Sequence, residues 1–235
     1  MRTLTVVAVL ALACSWGVAQ IGPRHVIELR SQGGGTVGMA QGKVQLAGKG
    51  LALIRFQGLS VLAVDADGEA YSKDAVASWP AADVLLVLPP GAGRYDGLAP
   101  LQALRSGVPV IVADGDGMAA GASGAQLYPL QVWNTLDLRK QNTRLRVTAM
   151  AGAPGARGVA GFMLELGNSR SSYRVYLSCR EDEAAALAQR LPGADLAVLP
   201  ARGAPLLVAL NRGMPARGEP AALTTAGYAF TAIKR

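Results

Sequence analysis

The chain has 235 residues, 51% hydrophobic and 17% charged, with a formal net charge of +7, one histidine (His25) and two cysteines (Cys14 and Cys179). A single imidazole excludes a metal centre built on several histidines, and the apolar fraction excludes a highly charged, disordered chain. The arginines are scattered singly among only 5% aromatics, which argues against a nucleic-acid binder and reads as a solubility balance.

The N-terminus opens with the positive pair Met1-Arg2, followed by an apolar run from Leu4 to Ala13. That run is shorter than the roughly 20 apolar residues that span a bilayer, and it suits the hydrophobic region of a secretory signal. Gly17-Val18-Ala19 offers a cleavage site, leaving Gln20 as the first mature residue. The expected organisation is a signal peptide over 1–19, an N-terminal strand and flexible segment over 20–41, and one domain over 42–235. The alternatives are a lipid anchor at Cys14, which ends the loose lipobox Leu10 to Cys14, or a buried N-terminal strand. Cleavage leaves Cys179 alone, so no intrachain disulfide can form. Export without disulfides points to a bacterial periplasm, and no later segment is long and apolar enough to span a membrane.

In chain order, His25 to Arg30 reads as a short strand and Ser31 to Gly35 as a flexible break. Lys43 to Ala47, Leu51 to Phe56 and Leu59 to Val64 read as antiparallel strands joined by glycine turns. Asp83 to Leu88 is a continuous apolar run and predicts a fully buried strand. Leu98 to Ser106 predicts a helix, and Val108 to Ala113 a buried strand with Pro109 at an edge or a start. Gly115 to Gly124 is a small-residue loop or loose helix. Arg144 to Ala149 alternates as a strand does, and Gly152 to Gly161 reads as a loop. Gly161 to Leu166 and Tyr173 to Leu177 predict a strand pair about Gly167-Asn168-Ser169. Glu181 to Leu191 predicts a helix with acids in its first turn. Asp195 to Leu199 reads as a buried strand, Ala204 to Asn211 as a helix, and Tyr228 to Ile233 as a final strand. Two sheets with outer helices would cover the apolar faces of such an order.

Leu51 to Ala66 (LALIRFQGLSVLAVDA) and Ala82 to Leu104 (ADVLLVLPPGAGRYDGLAPLQAL) resemble the metallo-β-lactamase superfamily, nearest its L-ascorbate-6-phosphate lactonase-like branch. Asp65 stands at the aspartate of that branch's Leu-x-Asp-Pro motif, with Ala66 in place of proline. Tyr95-Asp96-Gly97-Leu98 matches the piece that follows the metal loop. Downstream, VPVIVA, LRVTAMAGAP, GFMLEL with YRVYLSCRED, and ADLAVLPARG resemble the later strands and loops. The resemblance covers roughly Gly42 to Gly203. It implies an α/β fold, a four-layer αβ/βα sandwich with two mixed β-sheets face to face and helices outside.

The same alignment removes the family's metal ligands. The loop His-x-His-x-Asp-His falls on Pro89 to Arg94, which places Pro89, Gly91, Gly93 and Arg94 at the ligand positions. Cys179 and Arg180 stand where the Ser-Gly-Asp-Thr element carries glycine and aspartate. Proline, glycine and arginine donate nothing to a metal, and without an ion no bound water is activated. The resemblance therefore implies no catalytic residue, no metal ligand and no cofactor for this chain.

Arg94, Arg180, Cys179, Asp96 and Asp65 remain the candidate lining of the former metal pocket. Two arginines there could take a carboxylate or phosphate bidentately. They could instead pair with Asp96, Glu181 or Asp182, or reach solvent. Cys179 reads as an inert thiol, because no histidine can serve it as base. His25 reads as a surface or strand histidine, Asp65 and Asp83 as marking a turn and a strand start, and Asp114 and Asp116 as turn residues. The loop Gly152 to Gly158 lacks the Gly-Lys-Ser/Thr ending of a phosphate loop. The leading expectation is an exported, metal-free pseudoenzyme that binds a small anion or an envelope protein. The alternative is a lactonase- or esterase-like metal-dependent hydrolase with a displaced site.

Overall fold

The computed structural model describes residues 26–29, 41–90, 97–104, 107–114, 126–152, 158–168, 170–182, 184–201, 203–211 and 218–235. Outside them lie the expected export signal, Cys14, His25, the flexible break, Gly91 to Asp96, the small-residue loop from Gly115 and most of the loop after Gly152.

The strands in chain order are β1 (Val26–Glu28), β2 (Gln41–Gly48), β3 (Leu51–Phe56), β4 (Leu59–Asp65), β5 (Val84–Leu88), β6 (Pro109–Ala113), β7 (Gln126–Leu130) and β8 (Thr135–Lys140). Then come β9 (Thr143–Ala151), β10 (Val159–Gly167), β11 (Ser171–Ser178), β12 (Leu196–Leu199), β13 (Leu206–Ala209), β14 (Pro220–Ala222), β15 (Tyr228–Thr231) and β16 (Ile233–Lys234). One sheet runs β15-β2-β3-β4-β5-β6-β7; the other runs β1-β8-β9-β10-β11-β12-β13-β14, with β16 on β11. Both are mixed. β4 through β7 pair in parallel while β2, β3 and β15 are antiparallel, and β11–β12 and β1–β8 are the parallel pairs of the second sheet.

The two sheets pack face to face. Ile54, Phe56, Val61, Ala63, Leu86 and Ile111 of the first share one core with Leu138, Leu145, Val147, Phe162, Leu164 and Val175 of the second. Short helices cover the outer faces. On the first sheet, Tyr71 and Leu101 from around α1 (Lys73–Val76) and the 3-10 helix Ala99–Ala103 pack against Leu53, Leu62, Leu85 and Val87. On the second, Leu187 of α2 (Ala184–Arg190) and Leu191 pack on Tyr176, Ala197 and Val208. The chain is thus the expected sandwich of two mixed sheets with helices outside.

Several elements differ from the sequence reading. Leu206–Ala209 is a strand antiparallel to β12, not a helix. Its side chains alternate, Leu207 toward the inter-sheet core and Val208 toward the outer cluster. The region after Leu98 forms a five-residue 3-10 helix with no side-chain cap and Pro100 in its first turn. Helix α2 begins at Ala184, so Glu181 and Asp182 precede it instead of occupying its first turn. β7, β8 and β14 were not read from the sequence. Pro109 opens β6, which lies inside its sheet. The final run splits: β15 joins β2 of one sheet, and after Ala232 β16 joins β11 of the other.

That crossing carries an aromatic stack through the core. Phe230 of β15 lies 6.0 Å from Phe56 and 4.2 Å from Tyr173 of the facing sheet, ring centre to ring centre. The Phe230 ring covers Gly42, its partner on β2, so closely that a Cβ there would collide with it.

At the end of the sandwich where β4 and β5 begin, one cation clamps the sheets. Lys140 of β8 donates from Nζ to Asp83 Oδ1 at 2.7 Å and to the Gly58 carbonyl at 2.7 Å. Asp83 Oδ2 accepts from the Ser60 backbone N–H at 2.8 Å and the Ser60 hydroxyl at 2.9 Å. The Lys140 side chain is 11% exposed and that of Asp83 20%. Lys140→Met leaves one oxygen of a largely buried carboxylate unpaired, and we expect a loss of about 2 kcal/mol in urea unfolding at neutral pH. An unchanged midpoint would show that the clamp contributes nothing net.

Candidate functional site

At the opposite end of the sandwich, β4, β5, β9, β11 and β12 deliver their final residues. β4 ends in Asp65, β5 runs into Pro89-Pro90, β11 ends in Ser178 before Cys179 and Arg180, and β12 runs into Pro200-Ala201. Strand ends that turn toward loops are where an α/β fold places its ligands.

Asp65 is held locally. Its backbone N–H donates to the Gly50 carbonyl at 3.1 Å, and its carbonyl accepts from the Gly68 N–H at 3.0 Å. Its Oδ1 accepts from the Asp67 N–H at 3.0 Å, an Asx turn. The turn at Gly50 is left-handed, with φ 67°, a conformation glycine adopts without steric cost. Burial raises the Asp65 carboxyl above the ordinary carboxylate range, the Asp67 N–H lowers it in part, and the Asp67 charge raises it further.

Cys179 packs against the inter-sheet core. Its thiol donates to the Ala160 carbonyl at 2.9 Å, and its backbone N–H reaches the same oxygen at 3.1 Å. Burial pushes the thiol up to about 11; Arg180 pulls it down in part, while Asp182 and Asp65 push it further up. At neutral pH it is a thiol, and so is not an activated nucleophile. Arg180 is exposed. Its guanidinium passes beside Gly152 at the end of β9, where an added Cβ would stand 3.2 Å from Nη1.

Asp65, Cys179 and Arg180 therefore lie at one end of the sandwich, with Asp65 and Arg180 both within electrostatic reach of the thiol. Arg94 and Asp96 lie outside the described residues. A cleft of about 40 Å³ opens between the sheet ends, lined by Asp65, Leu88, Ser178, Leu199 and Pro200 among others. That is space for a few waters or one small ion.

The sequence reading missed the bracket behind this cleft. Ser178, fully buried, donates to Asp182 Oδ2 at 2.9 Å and accepts from the Arg180 N–H at 3.1 Å. Asp182 also accepts from Arg190 Nη2 at 3.2 Å, and Arg190 Nη1 reaches the Gly152 carbonyl at 2.8 Å. This ties β11, α2 and β9 together. The acid at 182, two residues before the helix, was the only hint.

The resemblance implies a zinc or manganese site here, and the donors can be tested against it. A catalytic zinc takes three protein ligands. The described residues at the cleft offer one carboxylate and one protonated thiol, and among them no three His, Cys, Asp or Glu side chains converge. The chain's single histidine precedes β1. These residues do not fit the ion.

No protein-family model matches the chain, and no curated protein sequence matches it. Solved structures resemble it in chain arrangement. The metallo-beta-lactamase fold protein YhfI from Bacillus subtilis shares 13% identity over 67% of this chain and 70% of its own, with a TM-score of 0.42. CmlA, a diiron beta-hydroxylase from Streptomyces venezuelae, shares 13% over 66% of this chain and 34% of its own, with a TM-score of 0.39. The class B3 di-zinc metallo-beta-lactamase LRA-12 from an Alaskan soil metagenome shares 14% over 73% and 82%, with a TM-score of 0.32. Likenesses this low carry neither activity nor metal to this chain.

Two measurements follow from the raised groups. A raised carboxyl gives stability that is present below its ordinary range and is lost as pH climbs through the folded value. Asp65→Asn keeps the Asx acceptor and removes the buried charge. It should therefore raise the urea midpoint at pH 7, and the gain should vanish toward pH 3; a lower midpoint at pH 7 would show that the charge is stabilising. In a Cys14→Ser background, alkylation of Cys179 by iodoacetamide at pH 7 should be far slower than that of free cysteine and should accelerate only as pH approaches about 11. Labelling as fast as free cysteine at pH 7 would mean that the thiol is open and ionised.

Proposed function

We propose that this chain is an exported, divergent member of the metallo-β-lactamase superfamily that has lost the metal centre and serves as a binding module, with no hydrolytic step of its own. The observation that carries the reading is the donor set at the strand ends: one carboxylate and one buried thiol where the family's chemistry needs several imidazoles and carboxylates. The order of matching segments from Gly42 to Gly203 supports the family, and the N-terminal run of residues 1–19 supports export.

The ligand this end of the fold favours is a small anion. Arg180 stands at this end of the fold, and the family resemblance implies that Arg94 serves the same pocket. A carboxyl at Asp65 that stays protonated over a wider pH range repels an anion less than an ordinary aspartate would. Guanidiniums bind carboxylate and phosphate in a fixed fork.

Purified protein from cells supplied with zinc and manganese should carry well under one metal equivalent by elemental analysis and should show no lactonase or esterase turnover. One tightly held equivalent with turnover would overturn the reading in favour of a hydrolase with a displaced site. Titration calorimetry with inorganic phosphate and acetate should give saturable heats for the wild type and none for the Arg94→Ala/Arg180→Ala double variant. Equal heats from both would remove the anion site from this pocket.

A further inference from the structure

The outer face of the nine-stranded sheet carries a second feature, unrelated to the cleft at Asp65. Across β8, β9, β10 and β11 four side chains stand in direct cross-strand register: Asp137 opposite Arg146, Arg146 opposite Glu165, and Glu165 opposite Arg174. Arg146 Nε lies 2.9 Å from Asp137, and Arg174 Nε lies 2.9 Å from Glu165. Arg144 also forks onto Asp137, with Nη2 at 3.0 Å. Three guanidiniums thus share two carboxylates, and the row has one surplus positive charge. Among the described residues, Nη1 of Arg146 and both Nη atoms of Arg174 hold no hydrogen bond.

Asp137, Arg146, Glu165 and Arg174 line the floor of an open groove of about 1080 Å³. That is at the upper end of the range of small-molecule sites, which pair apolar walls with a few convergent polar groups. Tyr128 stands on one wall and Leu191 and Pro192 on another.

Trp133 completes the groove. It is 63% exposed, the most exposed of the large apolar side chains among the described residues. Its backbone is left-handed, with φ 69°, a conformation that costs a bulky residue of order 1–3 kcal/mol. The conformation is locked by its N–H, which donates to the Ala149 carbonyl at 2.8 Å. The arginines of the row and the exposed indole line one groove.

We propose that this groove binds a monoanion carried on a flat aromatic body, an aryl carboxylate or a singly charged aryl phosphodiester. The free guanidinium N–H groups of Arg146 and Arg174 take the anion as charge-assisted hydrogen bonds, and Trp133 stacks on the ring. Asp137 and Glu165 hold the guanidiniums in place. The single surplus charge matches one negative charge on the ligand. The proposal is independent of the anion site at Arg94 and Arg180.

The test is calorimetric titration of the full chain with 2-naphthoate, its neutral counterpart 2-naphthamide, and acetate. Wild type should bind 2-naphthoate saturably, and 2-naphthamide and acetate should each bind at least about tenfold more weakly. Trp133→Gly removes the indole and accepts the left-handed backbone without strain, so it should fold at least as stably and lose about tenfold in affinity. Arg146→Gln/Arg174→Gln should lose at least as much, with its urea midpoint reporting whether it folds. Arg94→Ala/Arg180→Ala should keep the tight 2-naphthoate site at wild-type affinity and lose only the weaker site that acetate also fills. The proposal is overturned if 2-naphthoate shows no saturable binding at low-millimolar concentration, if Trp133→Gly binds it unchanged, if the amide binds equally well, or if binding is lost in the Arg94/Arg180 variant.

Discussion

The parallel strands β4, β5 and β6 must be covered on both faces, and the rest of the architecture follows from that. All five side chains of β5 are buried. Val84, Leu86 and Leu88 point to the inter-sheet core, and Leu85 and Val87 to the outer cluster. A strand with no polar face cannot sit at a surface. One face is therefore closed by the second sheet and the other by Tyr71, Trp79 and Leu101 on the connections between strands. The crossovers needed by parallel pairing carry those covering residues, so connection and cover are one solution. The same directionality sends β4, β5, β11 and β12 toward one end, where Asp65, Ser178 and Cys179 meet.

The two ends of the sandwich are built differently. At the start of β4 and β5, Lys140 bridges the sheets with two 2.7 Å bonds, and Asp83 satisfies both donors of Ser60. At the finish, Asp65 Oδ1 accepts from the Asp67 N–H and the side chain faces a largely apolar cleft, with its carboxyl raised by burial. Polar groups at the first end are matched and charged. At the second, the solvation that burial removes from Asp65 is not replaced by a cation among the described residues. A carboxylate left so is a local cost to the fold, and such costs gather where a surface is kept for binding.

Legibility followed the range of the interaction. The continuous run DVLLVL and the alternating pair GFMLEL and YRVYL were read correctly, because burial on two faces or one is written in neighbouring residues. Leu206 to Ala209 was misread: four residues are too few to show whether the period is 2 or 3.6, and pairing with β12 decided it. β7 was missed because Pro129 disguises it. Proline is tolerated there since β7 is the edge of its sheet, and edge position is a property of the assembled fold. The split of the last strand at Ala232 also depended on which sheet each half could reach. At the site, Asp65, Cys179 and Arg180 were placed at one end from the family's motif order. The Ser178–Asp182–Arg190 bracket was not, since it joins a strand end to the far turn of a helix.

The charged row on the outer face marks the limit of one-dimensional reading. RLRVTA reads as an alternating strand, and in the structure that alternation puts Leu145 and Val147 in the core and Arg144 and Arg146 on the opposite face. It could not say that Asp137, Glu165 and Arg174 stand beside them, because register between strands from separate hairpins is set by packing on the shared core. Once the register is known, the count of charges on that face has chemical meaning. Two carboxylates hold three guanidiniums, and Arg146 and Arg174 keep N–H groups without a partner among the described residues in the groove that Trp133 also lines. Trp133, left-handed in the connection between β7 and β8, stands beside that face. The surplus charge of the face and the left-handed Trp133 line one groove, and there the molecule departs furthest from what folding alone requires.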